Sequence, residues 1–334
     1  VRHNKVQIVI VTPALADANN GNWRTAQRWA RLLGSAYRVR LTKEWKPDSD
    51  DGPADSDALM IALHARRSAA SVAAWRAPGQ PRRPLLLALT GTDLYRDIDD
   101  DAAAQRSLAL ADALVVLNEL GPLRLPKPQR ARCHVVLQSC AARQPLAHKA
   151  TRHLRAVMVG HLREEKDPAT WFGAVRALAG RSDLRFDHIG AGLDEALAEE
   201  ARALQAAVPA YRWLGPRSHT EARRRIQAAH VLVHASVMEG GAQVVIEAIR
   251  SGTPVLASRM DGNVGLLGAD YAGYFPVGDP HALATLLARA RDEPAMLPAL
   301  ARQLARREPL FSPEAEAAAL HRIVRALLAP ASRR

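Results

Sequence analysis

Two apolar patterns alternate along this chain. Short apolar runs, at Val6 to Val11 (broken only by Gln7), Ala58 to Leu63, Leu85 to Leu89, Leu114 to Leu117, Ala156 to Val159, Val231 to Val233 and Pro254 to Ala257, are the mark of parallel strands covered on both faces, and Phe186 to Ile189 before Gly190 reads as a further, partly polar strand. Between them the spacing turns helical. Trp23, Ala26, Ala30 and Leu33 recur on one face up to Gly34, and comparable stretches run from Asp101 to Ala111, Thr170 to Leu178 and Glu221 to Ala229. Val39 to Leu41, Val135 to Leu137, Tyr211 to Leu214 and Tyr274 to Val277 read as shorter strands, and the Ala-, Leu- and Arg-rich stretch from Pro280 to Leu328 as helix. Polar punctuation separates them, including Asn19-Asn20-Gly21-Asn22, where Asn22 suits a helix cap, and an acidic, irregular loop from Pro47 to Asp57.

The alternation runs through twice. It is interrupted at 139 to 153, where Pro145 and basic residues follow no period, and then restarts. Two strand-helix series in 334 residues imply two domains, each a doubly wound parallel sheet with right-handed crossovers. The expected limits are 1–145 and 154–310, with 311–334 as a terminal helix.

Composition narrows the class. A net charge of +12 raises nucleic acid as a partner, but only six of the cations are lysine and the arginines are dispersed through Ala-rich helices. Aromatics are 4% of residues and do not interleave with the basic ones, so no nucleic-acid role is expected. Two cysteines, Cys133 and Cys140, make no disulfide framework, and nothing near them has metal-ligand spacing. There is no run of eighteen uncharged apolar residues and no secretory segment before the first strand; a cytoplasmic enzyme acting on small molecules, with neither metal nor cofactor, is the expectation.

The chemistry concentrates at 236 to 254. Glu239 sits in a turn with Gly240 and Gly241, an apolar helix begins near Ala242, Glu247 falls in its second turn, and Gly252 and Pro254 stop it. Glycines let a ligand approach the backbone, and the first amides of a helix favour an anion. Carboxylates at either side suit sugar hydroxyls. Elsewhere, His64-Ala65-Arg66-Arg67 and Thr90-Gly91-Thr92-Asp93 stand at carboxyl ends of strands, where open α/β sheets bind ligands.

Two glutamates with seven residues between them before Gly-Thr-Pro, the segment Gly160-His161-Leu162-Arg163-Glu164-Glu165-Lys166, and Thr90-Gly91-Thr92-Asp93 together resemble the signatures of family 4 glycosyltransferases. That resemblance implies a GT-B fold, two Rossmann-like domains facing an interdomain cleft, with the last helix returning to the first domain. It also implies that Glu239 contacts the donor sugar, that the turn from Gly240 and Gly241 through Ala242, Gln243 and Val244 holds the distal phosphate, and that Glu247 takes the ribose diol. Lys166, aided by Arg163 where His161 replaces the family's arginine, would neutralise the diphosphate, with Gly21, Asn22, Gly190 and Gly215 as further donor contacts. Thr90 stands where the family has a histidine beside the reacting centre. Segments such as Leu63-His64-Ala65-Arg66-Arg67-Ser68 and Leu89-Thr90-Gly91-Thr92-Asp93 resemble most closely the selenosugar-forming branch of that family. This implies a UDP-sugar donor, UDP-GlcNAc or UDP-glucose, a selenophosphate acceptor held by His64, Arg66, Arg67 and Thr92, and other enzymes of selenoneine formation as partners.

Overall fold

The computed structural model describes residues 5–13, 21–47 and 56–329; most of the expected Asn-Gly loop, at 14–20, and of the acidic loop, at 48–55, lies outside them. The chain divides into two units, the first comprising 1–138 and 313–334 and the second 139–312.

The first unit is a six-stranded parallel sheet of β1 (Gln7–Val11), β2 (Arg38–Thr42), β3 (Asp57–Leu63), β4 (Leu85–Leu89), β5 (Ala113–Val116) and β6 (Cys133–Val135), in the order β2-β1-β3-β4-β5-β6. Its longer helices are α1 (Gly21–Leu33), α2 (Ala69–Trp75), α3 (Ala102–Leu110) and, from the far end of the chain, α11 (Pro313–Leu328). Successive side chains of a strand go to opposite faces, and both faces are filled. Val9, Val11, Met60 and Ala62 pack with Trp45 and Trp75 on one side; Ile8, Ile10, Leu59 and Ile61 pack with Trp29, Leu33, Leu320 and Val324 on the other. An acid in that second layer is matched: Glu316 of α11, 1% exposed, accepts from Trp29 Nε1 at 2.7 Å and from Arg28 Nε at 2.8 Å.

The second unit repeats the design with β7 (Leu154–Val159), β8 (Leu184–Ile189), β9 (Tyr211–Trp213), β10 (Val231–His234), β11 (Val255–Ser258) and β12 (Tyr274–Phe275), in the order β12-β11-β10-β7-β8-β9. The helices are α4 (Pro168–Ala177), α5 (Glu195–Ala207), α6 (His219–Ala228), α7 (Gln243–Ile249), α8 (Asp261–Leu267), α9 (Pro280–Asp292) and α10 (Met296–Arg307). Four of the seven start on side-chain caps. Asp167, Asp194, Ser218 and Asp279 each accept from the amide three residues on, at 2.9–3.2 Å, satisfying a donor the helix itself cannot.

Several elements differ from the sequence reading. The sixth strand ends at Val135, because its register pairs Leu114 to Val116 with Cys133 to Val135. Asn22 is the second residue of α1, which begins at Gly21, so it is not the cap. The helical tail is broken twice, where a short turn precedes α10 and where a single turn, Glu308–Phe311, leads to α11, which opens on Pro313. Helix α5 is an addition to the elements the pattern predicts, and the glycine-bearing stretch after Met260 is the helix α8.

Candidate functional site in the second unit

Strand order locates the site. In this unit successive crossovers lead from β7 outward through β8 to β9, then back to β10 beside β7 and outward to β12, so the connections part between the carboxyl ends of β7 and β10. Such a switch point opens a crevice for ligands. The loop leaving β7 there delivers Lys166 and the loop leaving β10 delivers Glu239, and the two side chains form an ion pair, Nζ to Oε2.

The loops are held by close backbone approach. A Cβ on Gly190 would lie 1.9 Å from Gly160 O, and one on Gly262 would lie 2.0 Å from Glu239 O, so only glycine fits at either position. Gly190 N–H bonds Gly215 O at 3.0 Å, and Gly215 itself has φ of 66°, a backbone shape open to glycine. Below them, buried His188 donates from Nε2 to Gly160 O at 3.1 Å and accepts at Nδ1 from the Tyr211 hydroxyl at 3.2 Å. Burial lowers the His188 pKa to about 4, which keeps that ring neutral and the relay in one sense. The loop after β7 is also pinned to its neighbours: Ala191 N–H donates to His161 Nδ1 at 3.0 Å, and Val237 N–H to Glu165 O at 3.1 Å.

The charges of the pair are held by their surroundings. Burial works against the charge on half-buried Glu239, but the Lys166 charge, with Arg163 adding to it, outweighs burial and holds the carboxyl below its usual range. His234, 3% exposed at the end of β10, is lowered to about 4 by burial and by the neighbouring Lys166 charge. It stays neutral there, sharing a hydrogen bond of 3.2 Å between Nε2 and Ser236 Oγ. Arg163 is exposed, 3.8 Å from Glu165.

The remaining motif residues are near in sequence but differently occupied. Gly240 and Ala242 are buried, Gly241 and Val244 half-buried, and Ala242 caps α7 with its carbonyl. Gln243 sends its amide to Ser139 O at 3.2 Å. Glu247 is almost fully enclosed, and its Oε1 accepts from His219 Nε2 at 2.6 Å. An open depression among Arg259, Tyr271, Tyr274 and Val277, at the β12 edge, contains none of these residues.

In the first unit the connections part between β1 and β3. His64, just past β3, is 2% exposed with φ of 74°, a strained shape for a side chain of its size. Arg67 N–H donates to its Nδ1 at 3.4 Å, so Nε2 carries the proton and donates to Thr92 Oγ1 at 3.2 Å. Burial lowers its pKa, with Arg67 and Arg66 adding to the effect and Asp93 and Asp97 opposing it. Asp93 is fully buried and accepts from the amides of Thr90 and Gly91 at 2.9 Å and of Ala65 at 3.0 Å, tying the two loops together. Arg66 pairs with Asp97 at 3.0 Å, Arg67 is exposed, and Thr90 takes part through its backbone. At α1, Gly21 O accepts from Thr25 Oγ1 at 2.9 Å and Asn22 is half-buried.

Four further residues pack around these loops without having been assigned a role from the sequence: His219, His188, and Gly262 and Asn263 of the glycine-rich stretch at 261–265. Asn263 donates to Ser258 O at 2.9 Å beneath the turn. Its place in a Gly-Asn pair one turn after a buried strand is the available signal. Among the described residues no group of three or more His, Cys, Asp and Glu side chains is gathered as a metal site, and no helix is long and apolar enough to cross a membrane.

Residues 143–307 match the family model of the glycosyl transferases group 1. The sequence has no significant match among curated proteins. Among solved structures the chain is similar to sucrose-phosphate synthase from Thermosynechococcus elongatus, at 18% identity, over 97% of this chain and 99% of that one, with a TM-score of 0.75. It is similar to Anabaena HepE in complex with UDP and glucose, at 14% identity, over 96% of this chain and 100% of that one, with a TM-score of 0.74. A third likeness is to a mutant of S. aureus TarM in complex with Fondaparinux, alpha-GlcNAc-glycerol and UDP, at 14% identity and a TM-score of 0.66; it covers 81% of this chain but only 55% of that one, so the chain spans about half of TarM. These likenesses show the GT-B fold.

Proposed function

Taking residues 143–307 as a glycosyl transferases group 1 domain on a GT-B fold, we propose that the protein transfers a sugar from a UDP-sugar, UDP-GlcNAc or UDP-glucose, to selenophosphate. The observation that carries the donor half is the Lys166–Glu239 pair at the switch point of the second sheet. When the bond from the anomeric carbon to the distal phosphate oxygen breaks, negative charge grows on UDP, and Lys166 with Arg163 would stabilise it. Glu239, kept ionised, accepts hydrogen bonds from the sugar hydroxyls, and Glu247 from the ribose. HepE and TarM, with UDP in their structures, support this reading of the donor.

For the acceptor, the selenium of selenophosphate attacks the anomeric carbon, a carbon–selenium bond replaces the carbon–oxygen bond, and UDP leaves. Water then cleaves phosphorus from selenium to give the selenosugar and phosphate. A selenium anion is charged near neutral pH and needs little general-base help, which fits Thr90 in place of the family's histidine. The neutral Nε2–H of His64, Thr92 and exposed Arg67 are the groups assigned to its phosphate, with Arg66 already committed to Asp97. An ordinary transfer to an alcohol is the competing reading, favoured by the alpha-GlcNAc-glycerol in the TarM structure.

One assay decides: UDP release from several UDP-sugars in the presence of selenophosphate, thiophosphate or alcohols. Selenophosphate-dependent release with a selenosugar product is expected, and release with alcohols alone sinks the selenium assignment. On the same assay Lys166→Ala and Glu247→Gln should each lower kcat/KM by about 1–3 kcal/mol in transition-state terms, the range for a lost charge-assisted contact. Unaltered kinetics in both variants refutes the donor site.

A further inference from the structure

His219 and Glu247 meet from unlike surroundings. His219 opens α6, on the loop that turns at Gly215, and its side chain is 45% exposed; the Glu247 side chain, in the second turn of α7, is 3% exposed. Their contact of 2.6 Å is short for nitrogen to oxygen. A bare imidazole nitrogen and a carboxylate oxygen repel at that separation, so a proton lies between them and His219 is the donor. The bond engages Oε1 and fixes the plane of the carboxylate, while a carboxylate's roughly four lone-pair sites leave acceptor capacity on Oε2. Ser251 Oγ bonds the Glu247 backbone carbonyl, at 2.7 Å, and not its carboxylate.

We propose that His219 is a positioning residue that sets Glu247 to receive the ribose hydroxyls of the nucleotide, and so makes the protein selective for ribonucleotide donors. The inference rests on the donor reading above. A partly exposed side chain that fixes an enclosed carboxylate costs the ligand little: the acceptor is already oriented before the nucleotide arrives, so less ordering remains to be done on binding. Retention of the bond also means that His219 and the ribose share the carboxylate instead of competing for it.

The test is titration calorimetry of the full chain with UDP and with 2′,3′-dideoxy-UDP. The unsubstituted protein is expected to bind UDP more tightly. His219→Ala should weaken UDP roughly tenfold and the dideoxy compound by no more than about twofold, the difference of one oriented hydrogen bond to a charged group. His219→Gln, which keeps a donor, should restore most of the discrimination, and in turnover His219→Ala should raise KM for the UDP-sugar while kcat holds. Unchanged or tighter UDP binding by His219→Ala overturns the inference, as does an equal loss for both nucleotides, which marks a role in folding alone. Failure of the unsubstituted protein to bind UDP at all is a different result: it removes the donor reading itself, and this inference with it.

Discussion

The two sheets share an architecture and hold their loops differently where their strand order reverses. In the second unit that point carries charge, Lys166 against Glu239, in loops that touch backbone to backbone at Gly190 and Gly262. In the first it carries a neutral, enclosed imidazole at His64, in loops tied by the carboxylate of Asp93 to three amides. The parallel sheet therefore fixes where a site falls and leaves its chemistry to the loops. The two sites also tolerate change differently, because a carboxylate that bonds amides can shift a little and a carbonyl lodged against a glycine cannot.

The largest expected effect tests that contrast. Gly190→Ala drives a Cβ to 1.9 Å from Gly160 O, backbone against backbone, with β7 and β8 paired on either side. A loss of about 3 kcal/mol or more is expected for the second unit. Gly21→Ala, at the start of α1 with nothing within 4 Å of the new atom, should change the first unit by no more than about 0.5 kcal/mol. Urea unfolding followed by amide exchange assigned to each unit separates the two. Similar losses in both variants would mean the loops after β7 and β8 are not in contact as described.

What the sequence discloses follows from what it can encode locally. Strands such as Leu85–Leu89 are legible because enclosure on both faces demands an unbroken apolar run, and Lys166 and Glu239 because they belong to motifs with fixed spacing. Helix α5 is not, because its inward stripe, Ala198, Ala201 and Leu204, is mostly alanine in an Ala-rich stretch, where a period barely shows. His219 stays hidden because its partner is 28 residues on and only the packed unit brings them together. The backbone of His64 leaves no trace, since a left-handed turn is ordinarily signalled by glycine or asparagine.

A second effect, of comparable size per group but spread over a pH range, is pH dependence of the second unit. His188 and His234 have ordinary values of 6.5 and are lowered to about 4 in the fold, so between those limits the unfolded chain binds protons that the folded unit does not. Their contribution is complete above the ordinary value and is lost as pH falls toward the lowered one, with a slope of about 1.4 kcal/mol per pH unit for each histidine. The lowered Glu239 acts in the same direction at still lower pH. Unfolding free energies measured down the range should drop with this slope, and His188→Phe should flatten it by about half in the titrating range. A profile that is level from neutrality to pH 4.5, roughly the lower end of that range, contradicts the enclosure of both rings.

The smallest effect sharpens the comparison most. Among the described residues two non-glycine residues have positive φ, His64 at 74° in the first unit and Asp167 at 46° in the second. Asp167 is compensated, since its carboxylate caps α4 through Thr170 N at 3.1 Å and Thr170 Oγ1 at 2.5 Å. His64 has the weaker return of bonds at 3.2 and 3.4 Å. Alanine and glycine at position 64 both remove the imidazole, so the difference between them isolates the backbone: His64→Gly should be more stable than His64→Ala by about 1 kcal/mol, the left-handed penalty less the entropy glycine brings to the unfolded chain. Activity should fall equally in both, because the ring is gone from each. If alanine proves as stable as glycine there, the turn at His64 is relaxed, and the first site holds its imidazole without the strain that sets it apart from the second.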